Sequence, residues 1–165
     1  MGETSEIGIR TAAAEDAEVV VRIYLDSWNE GFGDRMRTRE VDANLTCRWR
    51  TDLMQPTHRW WVAKRDGTIV GFAGIGPSRD PVDPSIGELD TIAIDPGHWR
   101  TGVGRPLMSL AVRYLVSDGY AKAVVWTLAR YRQGAGFYLA TGWSLTGAVR
   151  SDGGQVCYGR QLGKP

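Results

Sequence analysis

Cysteine and histidine are scarce in this chain: Cys47, Cys157, His58 and His98 are all it holds in 165 residues. Neither pair has the spacing of a metal site, so no metal is expected. Two isolated thiols predict free cysteines in a reducing compartment rather than a disulfide. An excess of one charge is also missing. Twenty Lys and Arg face 19 Asp and Glu, for a net charge of +1, which argues against a broad nucleic-acid surface. No apolar run reaches the roughly 18–20 residues that span a bilayer. The first six residues carry no signal-peptide apolar stretch, and Glu6 stands where a myristoylation pattern needs Ser or Thr. These absences predict a cytoplasmic protein with no membrane and no nucleic-acid partner. What is abundant is tryptophan, at seven residues, on an ordinary background of 42% apolar and 24% charged residues. That composition and length fit one domain over 1–165 with a sizeable core.

Hydrophobic periodicity gives an element order of β-α-α-β-β-β-α-β-α-β-β, the α/β class with a mixed sheet and helices packed on it. A first strand is expected over 7–10. A helix opens near Ala14 and carries Val19, Val20, Ile23, Tyr24 and Trp28 on one face until Gly31-Phe32-Gly33-Asp34 breaks it. Thr38-Arg39-Glu40-Val41 reads as the next helix start, with Val41, Leu45, Trp49 and Leu53 forming a core stripe. Strands over 58–64 and 69–75 flank a hairpin turn at Asp66-Gly67. Residues 77–85, with Asp80-Pro81 and Asp83-Pro84, read as an exposed loop. A strand over 88–94 leads to a helix starting at Gly102 and Gly104 and ending at Asp118-Gly119. A buried strand over 123–128, a helix over 132–140 and closing strands over 143–149 and 156–162 complete the chain.

The most informative segment is Ile92-Ala93-Ile94-Asp95-Pro96-Gly97-His98-Trp99-Arg100-Thr101-Gly102-Val103-Gly104-Arg105. It is a strand, a turn and a glycine-bearing loop that opens a helix. Backbone N–H groups and the helix dipole converge at such a place and form a cradle for a pyrophosphate. A tight structural turn needs the same glycines. The Walker pattern is absent. The dinucleotide fingerprint fails because Leu107 replaces its third glycine, and Val124 and Val125 fill the region of its ribose-binding acid. A loop for the pyrophosphate of coenzyme A remains.

Here the chain resembles the GNAT superfamily of N-acetyltransferases. Ile92-Ala93-Ile94-Asp95-Pro96 is similar to that family's strand, and Gly102-Val103-Gly104 to its Gln/Arg-x-x-Gly-x-Gly/Ala signature, with Trp99 at the Gln/Arg position. Trp126-Thr127-Leu128 followed by Phe137-Tyr138-Leu139-Ala140-Thr141-Gly142-Trp143 resembles the family's second anchor, with Tyr131 where an asparagine is usual. The resemblance spans essentially the whole chain. It implies a splayed sheet of about seven strands with about four helices, acetyl-CoA as co-substrate, and direct transfer to a primary amine of a small molecule or peptide. A homodimer is a further expectation. A non-catalytic acyl-CoA-binding module on the same fold is the alternative.

The resemblance also distributes roles. Main-chain groups of Ile92, Ala93 and Ile94 match those that meet the acetyl group and pantetheine. Arg100, Thr101, Gly102, Val103, Gly104, Arg105 and Tyr131 form the rest of the expected cofactor site. Tyr138 matches the tyrosine that protonates the leaving thiolate, a transfer between groups with pKa values near 10 and 8.5. Glu88 is the candidate base and Asp90 its rival, since alternation puts Glu88, Asp90, Ile92 and Ile94 on one face of a regular strand. Trp28, Phe32 and Asp90 are the expected acceptor residues, with Trp49 assigned to the core. Glu30, Asp34, Glu40 and Asp42 are further acids within reach of a cationic amine.

Overall fold

A computed structural model describes residues 5–32 and 42–163. The expected break at Gly33-Asp34, the helix start at 38–41, Asp34, Glu40 and the side chain of Phe32 lie outside the described residues. Seven strands form one mixed sheet in the order β1-β2-β3-β4-β5-β7-β6. They are β1 (Gly8–Thr11), β2 (Arg59–Arg65), β3 (Thr68–Arg79), β4 (Val82–Ile94), β5 (Lys122–Leu128), β6 (Ser144–Arg150) and β7 (Gln155–Gln161). Among the described residues four α-helices pack on it: α1 (Ala17–Phe32), α2 (Ala43–Leu53), α3 (Gly104–Ser117) and α4 (Arg132–Ala140). None of the described helices is long and apolar enough to cross a membrane.

Each face of the sheet has its own core. Leu107, Met108, Ala111 and Leu115 of α3 pack with Val70, Ala73 and Leu89 on one face. Val20, Val21 and Ile23 of α1 pack with Trp49, Trp60 and Phe72 on the other. Trp49 lies 5.4 Å from the rings of Tyr24, Trp60 and Phe72, as the core stripe predicted. Truncating such a residue to alanine costs about 3–5 kcal/mol. Trp60 lies so close over β3 that a Cβ at Gly74 would sit 2.1 Å from its ring. The Asp66-Gly67 turn has φ of +49° and +79°, the left-handed pair that joins twisted strands tightly.

Three expectations about the elements are corrected. Residues 77–85 form no open loop, because β3 runs to Arg79 and β4 starts at Val82, with Arg79 paired to Val82. The Ser78 hydroxyl donates to Pro81 O at 2.6 Å and closes this tip. Helix α1 extends through Gly31 to Phe32, two residues into the expected breaking cluster, and the glycine at 31 leaves room for the ring of Tyr131. Helix α2 starts at Ala43, capped by Asp42, whose Oδ1 accepts from Leu45 N at 2.6 Å.

The central strands place the site. β4 and β5 run parallel, paired only at Ile86–Lys122, Gly87–Ala123 and Glu88–Val124, and then part. On its other side β4 bulges, because Gly74 faces Thr91 while Ile75 faces Leu89. Asp90 is the extra residue, so alternation reverses there. Leu89 therefore shares the α3 core with Ile92 and Ile94, while Ala93 joins the α1 and α2 side. Glu88 lies opposite Leu89, with Ile86. The expected common face of Glu88, Asp90, Ile92 and Ile94 is thus corrected by one inserted residue.

Candidate active site

A cavity of about 590 Å³ opens between the loop after β4 and helix α4. Ile92, Ala93, Ile94, Arg100, Gly102, Val103, Gly104, Arg105, Tyr131 and Tyr138 all line it. Asp95 N donates to Val70 O on β3, so alternation along β4 turns the Ile92 and Ile94 main chains toward the wedge. Trp99 Nε1 accordingly reaches Ile94 O at 2.8 Å.

The loop is shaped by main-chain geometry. Arg100 and Gly102 have φ of +59° and +87°. Such residues bend successive N–H groups inward into an anion nest. The 14-residue helix α3 adds its N-terminal dipole, and Arg100 and Arg105 stand exposed beside it. The Gly104 backbone packs closely on α4, where an added Cβ would lie 3.1 Å from the Phe137 ring. A pyrophosphate fits this arrangement.

Thr101 does not line the cavity. Its Oγ1 and O accept from Arg65 Nη1 and Nη2, both at 2.8 Å, and its hydroxyl donates to His98 O at 2.6 Å. It ties the loop to the β2–β3 hairpin, and Arg65 is a positioning residue that the sequence did not suggest. The cavity also takes in Ser27, His98, Trp99, Arg132, Gln133, Gly134, Gly136 and Phe137. The signal for Arg132 and Gln133 was their place in the first turn of a helix that follows a strand end.

A second cavity of about 190 Å³ lies between the diverging halves of β4 and β5. Trp28 and Asp90 line it, joined by Tyr24, Trp126 and Gln155. The two cavities share Ser27, Ile92, Ala93, Tyr131 and Tyr138 as a common wall. Trp126 was read only as a strand residue. Its Nε1 donates to Asp80 O at 2.8 Å and Arg150 stacks 4.3 Å above its ring, which fixes it as a pocket wall.

The two carboxylates occupy different settings. Glu88 is buried and lines neither cavity. Its oxygens accept from Arg79 N at 3.0 Å and Arg79 Nη2 at 3.1 Å. Asp90 accepts from the same Nη2 at 2.7 Å and from the Thr91 hydroxyl at 3.0 Å, and lies 3.8 Å from His58 Nε2. Burial raises its pKa above the usual aspartate range, against the opposing pull of Arg79, Thr91 and His58. Tyr138 is 6% exposed and packs among Phe137, Trp143 and Tyr158 while lining both cavities. Burial drives its phenol pKa well above the ordinary value, with Tyr131 and Tyr158 adding to the rise.

Comparison with known proteins agrees with this geometry. The chain is 24% identical over 127 residues to the uncharacterized N-acetyltransferase YuaI of Bacillus subtilis (strain 168), covering 74% of this chain and 72% of that one. It is 24% identical over 158 residues to the phosphinothricin N-acetyltransferase of Streptomyces viridochromogenes, covering 92% of this chain and 81% of that protein. Its fold superposes on PaiA N-acetyltransferase of Thermoplasma acidophilum, solved in complex with coenzyme A. That match has a TM-score of 0.72 and 16% identity, and spans 94% of this chain and 99% of the other. The model of the acetyltransferase (GNAT) family matches residues 17–143, and the chain belongs to that family.

Proposed function

We propose that the protein transfers the acetyl group of acetyl-CoA to a primary amine of a small molecule or peptide, by direct attack. The observation that carries this reading is the meeting of two cavities at one wall. One has a pyrophosphate cradle and the other the half-buried carboxylate of Asp90. Acetyl-CoA supplies an activated thioester carbonyl at that junction. The Arg100–Arg105 loop holds the pyrophosphate through backbone N–H groups. The N–H groups of Ile92 and Ile94, turned into the wedge, stabilise negative charge on the carbonyl oxygen.

Asp90 receives the ammonium group of the acceptor and takes its proton, since it lines the smaller cavity while Glu88 lines neither, although both carboxylates meet Arg79. The amine nitrogen then bonds to the carbonyl carbon as the carbon–sulfur bond breaks. Tyr138, on the shared wall, gives its proton to the departing sulfur. The aromatic lining of Tyr24, Trp28 and Trp126 excludes water and favours an acceptor with an apolar body.

A thiol-release assay with acetyl-CoA and a panel of primary amines tests the proposal. Thiol release that depends on the amine, with the N-acetylated product seen by mass spectrometry, is expected. Tight binding of coenzyme A with no turnover on any amine would instead make the protein an acyl-CoA-binding module.

A further inference from the structure

Tyr131 departs from the pattern of its family, and the fold has been built around it. Its ring spans the gap between α1 and α4. A Cβ at Gly31 of α1 would lie 2.9 Å from Cε2 on one edge of the ring. A Cβ at Gly134 of α4 would lie 2.4 Å from Cδ1 and 2.7 Å from Cε1 on the opposite edge. Gly31 lies in the last described turn of α1 and Gly134 in the first turn of α4. The close approach of the ring gives each a reason to be there. The phenol hydroxyl is hydrogen-bonded to Ser27 of α1.

This crossbar stands in the wall common to both cavities. A group moving from donor to acceptor has to pass that wall. Of its residues, Ile92 and Ala93 belong to β4, and Tyr138 is packed among Phe137, Trp143 and Tyr158. Ser27 and Tyr131 form the side facing β4. The smaller cavity, of about 190 Å³, adjoins them. From this geometry we infer that Tyr131 is a specificity residue that restricts the donor to short acyl groups, excluding chains of four carbons. The inference rests on the acyl-CoA reading given above.

The test is the ratio of dissociation constants for butyryl-CoA and acetyl-CoA, measured by calorimetry within each protein, with coenzyme A as the reference ligand. The natural protein is expected to bind butyryl-CoA at least tenfold more weakly than acetyl-CoA, within the range of a pocket too small by two methylenes. Tyr131→Ala is expected to bring the ratio close to one. Tyr131→Phe keeps the ring and is expected to keep the preference, which separates bulk from the Ser27 hydrogen bond. If Tyr131→Ala fails to fold, Tyr131→Leu replaces it, with a ratio between the two extremes. Equal affinities in the natural protein, or an unchanged ratio in the shortened variants, would overturn the inference. No binding of coenzyme A itself would overturn the underlying reading and this inference with it.

Discussion

Replacing Asp90 by asparagine separates the two carboxylates of β4 by function. The substitution keeps shape and removes one negative charge from the smaller cavity. General base catalysis contributes about 10²–10⁴-fold, so Asp90→Asn is expected to lower kcat/KM at neutral pH by about 10²-fold, or about 2.7 kcal/mol of transition-state stabilisation. Burial raises the Asp90 pKa, so the acid limb of the natural enzyme should begin above the ordinary aspartate range. Activity falls as pH drops through that value, and the variant should lack the limb. Stability should respond in the opposite sense. A carboxyl whose pKa is raised by folding contributes stability below its unfolded pKa, and loses it as pH rises through the folded one. At pH 7 the Asp90 charge is therefore a burden on the fold, and Arg79, with a 63% exposed side chain, loses little when it is removed. Tm at pH 7 is expected to hold or rise while activity falls. Amine-dependent rates and thermal unfolding on the same samples give both readouts. Glu88→Gln should reverse the outcome, keeping the acid limb and losing stability. An Asp90→Asn variant with full rate and an intact limb would refute the assignment.

Tyr138→Phe should lower kcat by about 10²-fold, read by thiol release from pH 6 to 10, and unchanged turnover across that range would remove its role as acid. Asp16 pairs with Arg10 at 2.8 and 2.9 Å and accepts from Ala13 N at 2.7 Å, and the Arg10 hydrogen bonds lower its pKa. Its stability contribution is present above the unfolded pKa near 4 and lost as pH falls through the lower folded value. Asp16→Asn should cost about 2 kcal/mol in urea unfolding at pH 7, and the difference should shrink in acid. Arg65→Ala removes both hydrogen bonds to Thr101 and should weaken coenzyme A binding roughly threefold to tenfold by calorimetry, with Tm little changed.

Local signals in the sequence were strong where one short segment decides the structure. The Asp66-Gly67 hairpin, the core place of Trp49 and the bounds of α4 follow from turn chemistry and periodicity. The glycine-bearing loop after β4 was legible for the same reason, since its glycines and helix start are contiguous. The failures lie where distant residues intervene. Gly31 looks like a helix breaker until the Tyr131 ring, a hundred positions later, is packed against it. The bulge at Asp90 depends on register with β3, and one inserted residue breaks the expected common face of Glu88, Asp90, Ile92 and Ile94. Thr101 reads as a loop contact, but Arg65 from another hairpin turns its side chain away. The smaller cavity draws on α1, β4, β5, α4 and β7, and no single segment announces it.

The central claim is that donor and acceptor meet in the wedge between β4 and β5. A crystal structure of the protein with coenzyme A tests it most directly. The pyrophosphate should lie on the backbone of residues 100–105, with the sulfur within hydrogen-bond reach of the Tyr138 hydroxyl and facing Asp90 across the shared wall. A cofactor bound elsewhere, or a sulfur remote from Tyr138 and the wedge, would contradict the account.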